Sequence, residues 1–124
     1  MSYNIDSCKI KKMENFIIPI KSLYEAPENW MPKQPHITNV DTNEVVIYCG
    51  CGQSIKGILT EGNLHVTSMD LSGEGSGSLM DEVIENAFKQ STGEFEAVMI
   101  WEGGDSITKM IVKDGILTEE GVVL

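Results

Sequence analysis

Three stretches of the chain carry residue types capable of chemistry. The first is Cys49-Gly50-Cys51, with His65 further along. Two thiolates this close can bind a soft metal, and a histidine from a neighbouring strand would add a third ligand. A structural zinc site needs four ligands, and only three can be counted. In a strand, positions 49 and 51 share a face, where buried cysteines pack as small hydrophobes. The structural reading is therefore preferred. A small enzyme or a metal- or ligand-binding domain with its site near Cys49, Cys51 and His65 is kept as the alternative.

The second stretch is the glycine–serine run Ser72–Ser78, just ahead of a helix start. Free N–H groups at such a place can cradle phosphate. This loop lacks the lysine of a P-loop and carries Glu74, and Asp81, Glu82 and Glu85 would repel an anion. It reads as a flexible connection and, where exposed, as a contact surface. The third is a set of carboxylate pairs: Glu94 with Glu96, Glu102 with Asp105, and Glu119 with Glu120. Glycoside hydrolysis needs two carboxylates across a cleft. With 19 acids in 124 residues, however, adjacent pairs arise by chance. The histidines, His36 and His65, join no HExxH helix or nucleophile elbow. No catalytic residue, metal or cofactor is assigned, and the chain reads as a binding protein rather than an enzyme.

Charge narrows the partner. The 19 acids face nine basic residues, all lysines, for a formal net charge of −10. The imbalance is concentrated in residues 41–124, with fifteen acids against four lysines. Phosphate contacts and anionic lipid both require the opposite sign, so neither nucleic acid nor membrane is expected as a partner. An acidic surface accelerates encounter with a basic protein. The N-terminus lacks the apolar core of a signal peptide, and three cysteines make no even disulfide framework. A cytoplasmic location with reduced thiols is expected.

The elements that position these residues read as one α+β domain over 1–124. An antiparallel sheet of five to seven strands is expected, with one amphipathic helix, about 79–90, packed on one face. Phe16–Ile20 reads as an edge strand or a strand end because of Pro19. Ser22 could cap a short helical turn, and Ala26–Pro35 reads as an irregular crossing with Trp30 tucked against the body. Further strands are expected at His36–Val40, Glu44–Cys49, Ser54–Thr60 and Leu64–Leu71, with Leu64, Val66 and Ser68 on one face of the last. Leu79, Met80, Val83, Ile84, Ala87 and Phe88 form the helix's apolar stripe, Ser78 its N-cap, and Gly93 its terminator. Phe95–Glu102 and Ser106–Lys113 then flank a turn at Gly103-Gly104-Asp105. Asp114-Gly115 precedes a last strand ending at Val122-Val123-Leu124.

The string Val98-Met99-Ile100-Trp101-Glu102-Gly103-Gly104-Asp105-Ser106-Ile107, in a small and strongly acidic chain, resembles the immunity proteins of bacterial toxin systems, of the contact-dependent-inhibition and polymorphic-toxin type. That resemblance implies a cytoplasmic protein that neutralises a basic nuclease-type toxin domain by blocking its active site. A phage-encoded inhibitor of a host nuclease would look the same. The expected contact residues are Glu74, Asp81, Glu82, Glu85, Trp101, Glu102 and Asp105, with Trp101 supplying a desolvated centre if it is not core.

Overall fold

The longest strand lies where the sequence looks most polar. In the computed structural model, which describes residues 4–25, 31–50, 52–73, 80–104 and 106–122, β1 runs over Ile5–Pro19. It is central, pairing with one neighbour through its whole length and with another at its C-terminal end. Phe16–Ile18 is thus the end of an interior strand, not an edge. Pro19 is tolerated because the ladder stops there, and the next N–H, that of Ile20, donates to Gly62 O at 2.8 Å. Strict alternation fails in β1 because the pairing register shifts three times, between Ile5 and Ser7, Ile10 and Lys12, and Glu14 and Ile17. Each shift adds a residue. The inward positions become Ile5, Cys8, Ile10, Met13, Phe16 and Ile18, spaced by two or three residues.

After a 3-10 turn at Ile20–Tyr24 come β2 (His36–Asn39), β3 (Glu44–Gly50), β4 (Gln53–Thr60) and β5 (Asn63–Asp70). Ser22 does not cap the 3-10 turn; it sits inside it, and its hydroxyl donates to Pro19 O at 2.6 Å. A π-helical turn at Met80–Ile84 continues as α1 (Glu85–Lys89), followed by β6 (Thr92–Trp101), β7 (Ile107–Lys113) and β8 (Ile116–Gly121). The eight strands, against the five to seven expected, form one antiparallel sheet of order β2-β3-β4-β5-β1-β6-β7-β8. Of β1 only the C-terminal end, Phe16–Pro19, is foreseen as strand; its Ile5–Asn15 part is hidden by the bulges. In β5 a further shift moves the inward set to Leu64, Val66 and Met69, so Ser68 faces out. Trp30, Cys51, Glu74, Ser78, Leu79, Asp105 and the Val123-Leu124 end lie outside the described residues.

The helical segment packs on one side of this sheet, with Met80, Val83, Ile84, Ala87 and Phe88 all buried. Phe88 meets Phe16 and Phe95 in a trio with ring centroids 5.3–5.5 Å apart, which fastens the helix to β1 and β6. Asn86 Nδ2 donates to Ser22 O and Gln90 Nε2 to Glu25, fixing its other flank to the 3-10 turn. Gly93 is not the helix terminator. The helix ends at Gln90, and Gly93 lies within β6 with φ +84°, where an added Cβ would sit 2.0 Å from Asn15 O. Its N–H donates to Asp114 Oδ1 and its carbonyl accepts from Asp114 N–H, so one residue locks β1, β6 and the β7–β8 turn together.

Candidate functional site

On the outer side of β1, β6, β7 and β8, cross-strand pairing sets lysines against glutamates. Lys12 Nζ lies 2.6 Å from Glu94, Lys109 Nζ 2.9 Å from Glu96, and Lys113 Nζ 3.6 Å from Glu94. Lys12 holds the Glu94 carboxyl below its ordinary range, and the two carboxylates raise Lys12 and Lys109 in return. Exposed to solvent, these pairs add little to stability. Their larger consequence is that two acids of the C-terminal half are already neutralised.

The helix side differs. Asp81 and Glu82 are exposed in the first turn, and Glu85 is half-buried one turn on. The α1 helix packs against β8, which brings Glu119 into the group. Glu119 follows Leu117 by two residues, so both point to the helix side, while Glu120 points away beside Lys109. The Glu85 carboxyl is pushed up, first by burial, then by Asp81 and Glu119; Lys89 opposes with the smallest of the four effects. Glu119 was legible only as half of an adjacent pair. Its closeness to Glu85, 34 positions away in the chain, comes from packing of β8 against the helix, which no local pattern encodes.

A carboxyl whose folded pKa is raised binds more protons folded than unfolded, so its burden on stability is present above the folded pKa and absent below the unfolded one. Relative to Glu85→Gln, the wild-type protein is expected to gain stability as pH falls from 7 through the carboxylate range. Urea titrations of both proteins at a series of pH values read the difference; a constant gap would refute it.

The other named residues lie elsewhere. Trp101 is half-buried against the core, and its Nε1–H donates to Thr108 Oγ1 at 2.9 Å, which ties the indole to β7. Glu102 is exposed at the β6–β7 tip, where its N–H donates to Asn4 O and the Gly103 N–H donates to Asp6. Glu102 and Asp6 form a second, smaller acidic spot away from the helix. Glu74 and Asp105 lie outside the described residues.

Cys49 and His65 are not brought together. Cys49 is buried near the level of Ser54 and Asp70, whereas His65 pairs with Ile58 and is exposed on the opposite side. The four residues of β4 from Ser54 to Ile58 separate the two levels by about 14 Å. Among the described residues no group of three or more His, Cys, Asp or Glu could hold a metal. Burial pushes the Cys49 thiol up to about 12 and, with Asp70 adding to burial, the Cys8 thiol up to about 11. In a Cys51→Ser background at pH 8, both are expected to react with a thiol reagent at least roughly tenfold slower than in the unfolded chain. A fast native thiol in that titration would reopen a cysteine chemistry.

Among the described residues no helix is long and apolar enough to cross a membrane. No protein-family model, curated protein or solved structure matches this chain. The functional reading therefore rests on the surface itself.

Proposed function

We propose that this protein is an acidic binding protein that neutralises a basic toxin domain, of nuclease type, by covering its active site. One observation carries the reading. Glu94 and Glu96 are balanced by lysines, whereas at the helix edge Asp81 and Glu119 add like charge to the burial that raises Glu85. Repulsion of this kind burdens the free protein and is relieved when a cationic surface docks. A nuclease active site presents lysines and arginines that hold substrate phosphates, and carboxylates at matching positions would occupy them. Glu82 extends the group along the helix. Trp101 is withdrawn from the contact set.

A pull-down from the native host tests the proposal. Wild-type protein is expected to retain a basic partner whose nuclease activity falls to background at equal stoichiometry. Retention of an acidic partner, or of a partner that keeps full activity in the complex, would refute it.

A further inference from the structure

We infer that the partner docks by adding a strand to β8, through an extended segment that alternates basic and apolar residues. This rests on the acidic-binder reading and specifies how contact is made. β8 ends the sheet. Its two-residue turn pairs Lys113 with Ile116, and Val122 N–H donates to Ile107 O, so every second residue of β8 bonds inward. The N–H and C=O groups of Leu117, Glu119 and Gly121 point outward. Among the described residues they have no hydrogen-bond partner. Such a row is a template for another strand.

The two sides of this edge differ, and each selects a residue type. On the helix side a strand residue opposite Glu119 would stand beside Glu85 and Asp81, where a lysine or arginine reverses the repulsion. On the other side Ile116 is 68% exposed and borders an open groove of about 400 Å³ with Ile111, Lys113, Asp114 and Thr118. The intervening residues of the added strand would lie there, which favours apolar side chains. A second copy of this chain is disfavoured: the register that uses Leu117 to Gly121 on both sides sets Glu119 opposite Glu119. The opposite edge, β2, offers only four residues, begins after Pro35 and contains a register shift, so it is a poor template.

The probe is an acetylated peptide of about eight residues alternating lysine and valine. A second peptide with prolines in place of its central valines keeps the charge but cannot pair as a strand. With ¹⁵N-labelled protein at low salt, the alternating peptide is expected to shift the amides of Leu117, Glu119 and Gly121 and slow their hydrogen exchange. It should bind about tenfold more tightly than the proline peptide. Gly121→Pro removes one outward donor, leaves the charge and the β7–β8 ladder intact, and should weaken the alternating peptide about fivefold. The amide measurements on wild-type protein decide the matter even if that variant folds poorly. Equal binding of both peptides, or shifts away from β8, would overturn strand addition while leaving the acidic reading standing. Binding of neither peptide would overturn both.

Discussion

Gly93→Ala is expected to destabilise the protein by about 3 kcal/mol or more, and to lower its Tm by roughly 10 °C or more. Two effects add. The position holds φ +84°, which a side chain disfavours, and the new methyl would meet Asn15 O at 2.0 Å, with Asn15 C and Glu14 O also inside 3 Å. Those are backbone atoms of the central strand and cannot rotate aside. Relief requires moving β1 away from β6, which opens the cleft beneath the Phe16–Phe88–Phe95 trio and strains the Gly93–Asp114 bonds that fix the β7–β8 turn. Natural domains hold only about 5–15 kcal/mol in total, so this is a large share. Gly121→Ala is the control: its added methyl meets open space, and the expected change is within about 0.5 kcal/mol. Urea denaturation of the two variants separates them; equal loss would mean that the β1–β6 contact at Gly93 is not a structural constraint.

Neutralising the helix-edge acids together, as Asp81→Asn, Glu85→Gln and Glu119→Gln, should move stability and binding in opposite directions. The net charge changes from −10 to −7 by three removed negatives. In the free protein the burial of the Glu85 charge and the repulsion from Asp81 and Glu119, which together raise Glu85, disappear, and stability is expected to rise by about 0.5–1 kcal/mol after solvent screening. Association with a basic partner should slow by about tenfold to a hundredfold at low salt, because encounter depends on the field of these charges. Ordinary solubilising carboxylates would give no such trade, whereas a contact surface that tolerates its own repulsion would. Thermal melts and stopped-flow association on the same preparation read both quantities.

Much of the fold is legible from local pattern. The stripe Met80, Val83, Ile84, Ala87 and Phe88 marks the helix face and all five are buried. The turn at Asp114-Gly115 adopts the positive φ values that its residue types suit. What escaped is non-local. The bulges in β1 break the period of two, so Cys8, Ile10 and Met13 look unpatterned beside Lys9, Lys11 and Lys12. Gly93 sits at a helix-terminator distance, yet its conformation is set by Asn15 in another strand. The same limit applies to the surface. Asp81, Glu82 and Glu85 are visible as one helix turn, but their convergence with Glu119, and the lysine balance at Glu94 and Glu96, depend on which strands become neighbours.

The most direct test is the ionic-strength dependence of association between this protein and the partner it retains, from about 20 mM to 0.5 M salt, across which the screening length shrinks several-fold. Capture governed by the Asp81, Glu85 and Glu119 edge predicts an association rate that falls steeply with salt, a dissociation rate that barely changes, and curves for wild-type and triple-neutralised protein that converge at the high end. A flat association rate, or identical low-salt rates for the two proteins, would contradict it.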